Sequence, residues 1–284
     1  MRAPDGYTAL RRWRVRALVR TDLVAELAPW LLANRLVVPQ GSEKLQGGRG
    51  AAHRVRLPGG IAAVLRFYRR GGWLARLVRE SYVGSMARPF RELAVTAEAR
   101  RRGVAAAEVL AARVEGWLTY RGAIVTAEVP GAVPVIEALR EATDERRRAL
   151  ATAVARVVAD MHRAGVFHAD LNLTNLVARR VAAGPDVIIL DFDRARVGRA
   201  PLGARARERN LRRLARSLRK LDPTGRLAAP DDVAAFHAAY ASAMEAPWCV
   251  RSRCWDASAA ASRRRTSPGW SSHHRRLCWS RTRG

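Results

Sequence analysis

The sequence predicts an α+β chain in two lobes. Runs of branched and aromatic residues between Gly- and Pro-rich breaks fill the first half. Stretches with apolar residues at helical spacing fill the second half. Pro130-Gly131 interrupts the chain between them. Strands first and helices later is the order of an α+β fold. The expected organisation is a small lobe over 1–129, a helical lobe over 130–245, and a tail over 246–284 outside the fold.

Residues 8–38 read as amphipathic helix or loop, interrupted by Pro29 and Pro39. A glycine-bearing stretch over 41–60 leads to a strand over 61–68, IAAVLRFY, which Gly71-Gly72 ends. A helix is predicted over 87–102, with Phe90, Leu93, Ala94 and Ala97 on one face, Pro89 in its first turn and Gly103 beyond its end. Strand-like runs follow over 108–114 and 117–127. In the second half, Leu150, Val154, Val157, Val158 and Met161 mark a helix over 144–164, with Gly165 at its C-terminus. Val166-Phe167 forms a short strand before His168, and the run 187–190 forms a buried strand ending at Asp191. A basic amphipathic helix over 210–221 and a last helix over 230–244 complete the fold, and no internal repeat appears.

Composition bounds the function. The 284 residues include 52 Lys+Arg against 25 Asp+Glu, a formal charge of +27. Such charge suits nucleic acid, anionic lipid or phosphorylated substrates. Only Lys44 and Lys220 are lysines, so Arg-rich coding in a GC-rich gene is an equally good source of the excess. No run of 18 apolar residues occurs and the basic start lacks an apolar signal segment, so a cytoplasmic location is expected. The tail holds all three cysteines, Cys249, Cys254 and Cys278, and almost no aliphatic residue larger than Ala. It cannot build a core, and its C-x4-C beside His273-His274 matches no zinc-ligand spacing. A disordered tail and an altered reading frame both fit.

The chemistry lies in His168-Ala169-Asp170-Leu171-Asn172-Leu173-Thr174-Asn175 and in Ile189-Leu190-Asp191-Phe192-Asp193. Phosphoryl transfer from ATP needs a carboxylate to orient and deprotonate the attacking hydroxyl, and oxygen ligands to hold Mg²⁺ against the phosphates. Asp170 suits the first role; Asn175 and Asp191 suit the second. Each of these residues alone is as easily a turn residue satisfying local backbone. Their order and spacing together, H-x-D-x4-N followed by aliphatic-aliphatic-D-F, are not required by turns. His168 reads as a loop-shaping hydrogen bonder.

These stretches, with AVLRFYRRGG at 63–72, RPFREL at 88–93 and NLRRLARSLRKL at 210–221, resemble the lipopolysaccharide core kinases, which are similar to eukaryotic-type protein kinases in fold. The resemblance runs over about 40–244 and is nearest to the branch acting on 3-deoxy-D-manno-octulosonic acid (Kdo). It implies a β-rich N-lobe and a helical C-lobe, with ATP and Mg²⁺ as cofactors. It places Gly47, Gly48 and Gly50 over the ATP phosphates, Arg66 on them in place of the usual strand Lys, and Glu92 as the partner of Arg66. A solvent-facing Glu92 is the alternative. Glu128 to Gly131 would meet adenine through the backbone, and Asp193, replacing the Gly of D-F-G, would add a second acid near the metal. The implied partner is the lipopolysaccharide precursor Kdo-lipid A at the anionic cytoplasmic face of the inner membrane, with Arg69, Arg70, Arg76, Arg79 and Arg88 as a basic surface; no nucleic acid is expected. A heptose kinase, a Ser/Thr protein kinase and a non-catalytic pseudokinase are the rival readings. The short chain after Asp193 speaks against the protein kinase.

Overall fold

The computed structural model describes residues 3–45, 52–68, 87–116, 120–181 and 184–246, all within one unit, Met1–Arg251. Gly47, Gly48, Gly50, Arg69, Arg70, Arg76, Arg79 and the tail beyond Ala246 lie outside the described residues.

A seven-stranded antiparallel sheet builds the first part, in the order β1-β2-β6-β7-β5-β4-β3. Its strands are β1 (Tyr7–Arg12), β2 (Val15–Arg20), β3 (Glu43–Leu45), β4 (Ala52–Arg56), β5 (Ala62–Phe67), β6 (Val109–Gly116) and β7 (Tyr120–Ala127). The segment 8–38 is therefore not helix or loop at its start: it is a β-hairpin followed by α1 (Val24–Leu31). Arginines interrupt both strands and hide the alternation, yet Val15, Ala17, Leu18 and Val19 are buried. β2 is buried because both faces of the sheet are covered. On one face, Ala17, Val19, Leu65 and Val125 pack under Leu27 and Leu31 of α1. On the other, Leu18, Val114 and Ile124 pack against Phe90 and Leu93 of α2 (Arg88–Arg101). Pro29 sits inside α1, and the helix end is capped from the sheet: buried Arg113 donates to Leu31 O at 2.8 Å and Ala33 O at 2.7 Å.

α2 buries Pro89, Phe90, Glu92, Leu93, Thr96 and Ala99, a face rotated from the predicted one, on which Ala94 and Ala97 are half-buried. It ends at Gly103, whose φ of 85° lets Val104 N–H reach Ala99 O at 3.0 Å. Its C-terminal end, with Ala99, Val104 and Ala106, belongs to the second core, formed by the helical part.

That part contains β8 (Val133–Pro134), α3 (Val135–Arg140), α4 (Asp144–Arg163), β9 (Val166–His168), β10 (Leu176–Val181), β11 (Gly184–Ile189), β12 (Ala195–Val197), α5 (Ala204–Leu221) and α6 (Pro230–Glu245). α4 buries Leu150, Val154, Val157, Val158 and Met161, one stripe at 3.6-residue spacing. α4 ends at Gly165, with φ 76° and space for no side chain: a Cβ there would stand 2.5 Å from Ala200 O. β11 pairs with β10, a strand not read from sequence, and β9 pairs with β12. α5 begins at Ala204, six residues before the predicted start. The α+β class and the order of sheet then helices match the expectation.

Candidate active site

The site forms where β9, β11, β5 and α2 meet. β9 delivers His168, and the loop after it carries Asp170 and Asn175. Two buried residues shape this loop. His168 Nδ1 accepts the Asp170 N–H at 3.2 Å, which leaves the proton on Nε2, facing Leu190 O at 3.4 Å. Burial lowers the His168 pKa, and its hydrogen bond to Leu190 O opposes that only in part. The ring is thus a neutral brace between two loops. Asn210 of α5, fully buried, donates to His168 O at 2.5 Å and faces His162 Nε2 through Oδ1 at 3.3 Å.

Within the loop, Asn175 Nδ2 donates to Asp170 O at 2.9 Å, and Asn172 Oδ1 accepts Asn175 N–H at 3.1 Å. The Asn175 carbonyl accepts Leu190 N–H at 2.8 Å, which sets Asn175 beside Asp191. Asp191 takes the left-handed conformation, with φ 56°, as the buried strand β11 ends. This turn, uncommon for a non-glycine residue, is closed by the Asp193 N–H on Asp191 Oδ1 at 3.3 Å. The Asp170 carboxylate is exposed and has no hydrogen-bond partner among the described residues.

Arg66 of β5 joins this loop to α2. Its Nη1 donates to Asp191 Oδ2 and its Nη2 to Glu92 Oε1, each at 2.5 Å. Glu92 is buried, not solvent-facing, and its second oxygen accepts the Tyr68 hydroxyl. Burial raises the Glu92 pKa to about 7; Arg66 opposes the rise, while Asp191 and Asp193 reinforce it. Burial works against the Arg66 charge, but Glu92 and Asp191 outweigh it and hold its pKa above the ordinary value.

Asp193 does not join Asp191 as a second metal-facing acid. Its carboxylate takes both Nε of Arg88, at 2.9 Å, and Nη2 of Arg88. That pairing also draws Arg88 away from the basic surface expected of it. The guanidinium carbons of Arg66 and Arg88 lie 5.3 and 5.4 Å from the Tyr68 ring centre. Sequence reasoning assigns no site role to Tyr68 or Asn210 and puts Arg88 only on the basic surface. Tyr68 follows Arg66 by two residues, the β-period that sends both to one face. Asn210 stands alone as an amide among the inward leucines of α5.

Glu128 lies apart from this cluster. Its carboxylate pairs with Arg54 at 2.8 Å, and its N–H is taken by Ala62 O at 3.1 Å. The backbone N–H of Glu128 is thus not open to adenine; its carbonyl and the Val129 N–H have no hydrogen-bond partner among the described residues.

A family model described as "Lipopolysaccharide kinase (Kdo/WaaP) family" matches residues 42–240. A 3-deoxy-D-manno-octulosonic acid kinase of Xanthomonas campestris pv. campestris (strain B100) is 39% identical over 184 residues, 62% of this chain and 69% of the relative. Its namesake in Xanthomonas axonopodis pv. citri (strain 306) is 38% identical over 199 residues, 68% of this chain and 76% of the relative. Among solved structures, "WaaP in complex with acyl carrier protein" aligns with a TM-score of 0.49 at 22% identity, over 72% of this chain and 79% of that chain.

Proposed function

The chain belongs to the lipopolysaccharide kinase (Kdo/WaaP) family, and from that premise we propose that it transfers the γ-phosphoryl group of ATP to a hydroxyl of Kdo in Kdo-lipid A. The observation that carries the mechanism is the adjacency of Asp170, Asn175 and Asp191 on two loops locked by Asn175 O and Leu190 N–H.

Asp170, exposed and without a hydrogen-bond partner, orients the sugar hydroxyl and accepts its proton as the new P–O bond forms. Asn175 and Asp191 fit a magnesium ion. The Asn175 amide oxygen has no donor among the described residues, since its Nδ2 is used on Asp170 O. The Asp191 carboxylate is one-third exposed at the end of its strand. Two protein oxygens of this kind, completed by phosphates and water, suit the hard cation. Bound there, Mg²⁺ would neutralise phosphate charge during transfer.

Arg66 contacts phosphate oxygens while Glu92, fixed by Tyr68, holds its second nitrogen. Gly47, Gly48 and Gly50 would cover the phosphates. Glu128, through its carbonyl, and Val129, through its N–H, would meet the adenine edge. Because the proposed substrate is a lipid, the protein would work peripherally at the cytoplasmic face of the inner membrane; no helix among the described residues is long and apolar enough to cross a membrane.

The test is mass spectrometry of Kdo-lipid A after incubation with the protein, ATP and Mg²⁺, with heptosylated core, peptide and RNA as competing acceptors. One phosphate gained on the Kdo ring supports the proposal. Transfer to heptose alone, or to peptide alone, refutes it.

A further inference from the structure

α5 carries a surface that phosphoryl transfer does not use. Its inward side is set by buried Asn210 and Leu214, with Leu211, Leu218 and Leu221 packed partly into the core. Ser217 on the same side accepts the Leu173 N–H at 3.1 Å and braces the loop that holds Asn175. At about 100° per residue, Arg205, Arg209, Arg213, Arg216, Arg219 and Lys220 fall within about 120° on the opposite side. All six are exposed. Arg212, in the same arc, pairs with Glu208 at 2.6 Å, and Arg209 lies over the Phe167 ring at 5.5 Å. The other five have no acidic partner among the described residues.

Arginine-rich coding does not explain this arc. It would scatter cations over all helices alike. On α2 and α4, Arg88, Arg101, Arg147 and Arg163 are engaged with Asp193, Glu98, Asp144 and Asp160, and only Arg91, Arg146 and Arg156 have no acidic partner among the described residues. The next helix, α6, carries Asp231, Asp232 and Glu245 and no Lys or Arg. The basic face also continues off the helix. Arg196 of β12 stands directly opposite Phe167 in the strand register, and Arg209 lies over the ring of that same residue, one before His168.

We infer that this face of α5, extended through Arg209 to Arg196, docks the protein on an anionic phospholipid bilayer. The inference deepens the proposed function and rests on it for its purpose, since Kdo-lipid A resides in a bilayer; the binding itself does not depend on turnover. The chemistry is adsorption, not insertion. The arc holds cations and no large apolar side chain, so attraction to phosphate headgroups is electrostatic and screened by salt. An inserting helix would place Leu, Phe or Trp at this face.

The test is co-sedimentation of the full chain with phosphatidylglycerol-containing vesicles and with phosphatidylcholine vesicles, at low and high salt. The unmodified protein is expected on the anionic vesicles at low salt only. A quadruple variant, Arg213→Gln, Arg216→Gln, Arg219→Gln and Lys220→Gln, is expected to lose ~10²–10³-fold in partitioning, since each of the four cations near such a surface contributes about fivefold. A control, Arg140→Gln, Arg146→Gln, Arg156→Gln and Arg180→Gln, removes equal charge from other exposed positions and is expected to retain most binding. The α5 variant should still act on detergent-dispersed substrate and fail on substrate held in a bilayer. Equal losses in both quadruple variants, binding that survives high salt, or retention on RNA in preference to vesicles would each overturn the inference. Absence of Kdo phosphorylation with vesicle binding intact would refute the function and leave the docking face standing.

Discussion

Glu92→Gln is expected to make the protein more stable at alkaline pH while impairing its chemistry. Glu92 is only 3% exposed, and burial raises its pKa from 4.5 to about 7. The folded state therefore holds a proton that the unfolded chain has released. The stability this contributes is full below about pH 4.5 and is lost as pH rises through about 7. At 1.36 kcal/mol per pH unit, the ionised carboxylate costs about 3 kcal/mol in the folded state. Glutamine keeps the shape and carries no charge; its one amide oxygen can accept the Arg66 N–H while its NH2 donates to the Tyr68 hydroxyl oxygen. Guanidinium unfolding near pH 5 should give the two proteins similar stability. Near pH 8.5 the variant should be more stable by up to about 3 kcal/mol. The comparison is needed because His162 works in the other direction. Burial lowers its pKa from 6.5 to about 4, so the stability it contributes is full above about 6.5 and fades as pH falls towards about 4. In the unmodified protein the two slopes largely cancel. A stability difference independent of pH, or a variant weaker than the parent at pH 8.5, would refute the reasoning. Turnover should fall all the same, because Arg66 loses its charged anchor.

Asp170→Asn should lower kcat by ~10²–10⁴ with the KM for ATP little changed, measured by coupled assay; near-normal turnover would return Asp170 to a turn role. Asp191→Ala should abolish Mg²⁺-dependent nucleotide binding in calorimetry and keep the fold, since its carboxylate is partly exposed and Arg66 retains Glu92. Gly165→Ala combines φ 76° with a Cβ 2.5 Å from the Ala200 carbonyl, and should cost about 2 kcal/mol or more in denaturant unfolding.

Much of this site could be read along the chain because its parts are local. Asp170 and Asn175 share one loop, Asp191 ends an unbroken apolar run, and Glu92 sits on a helix with clear start and stop signals. What brings the two loops together is a backbone bond from Leu190 to Asn175, and backbone groups leave no mark in a sequence. Asp193 seemed free to serve a metal because its partner, Arg88, lies 105 residues away. The hairpin over β1 and β2 escaped for a different reason. Arg11, Arg12, Arg14 and Arg16 swamp the hydrophobic alternation, and only α1 and α2 closing on the two sheet faces bury β2.

The double membership of α2 has a mechanical consequence. Its first half is seated in the sheet, its last turn in the helical core, and the chain just after it pairs with β11 through Ala105 O and the Ile189 N–H at 2.9 Å. Arg102 adds bonds to Ala164 O and Gly198 O. α2 thus works as a rivet rather than a hinge pin. Swinging the sheet away from the helices would tear a backbone ladder that also fixes the strand leading to Asp191. Turning the Arg66 side chain, by contrast, breaks only its ion pairs with Glu92 and Asp191 and leaves that backbone ladder whole. A side-chain exchange at Arg66 therefore needs no parting of sheet from helices, whereas a clamshell opening would.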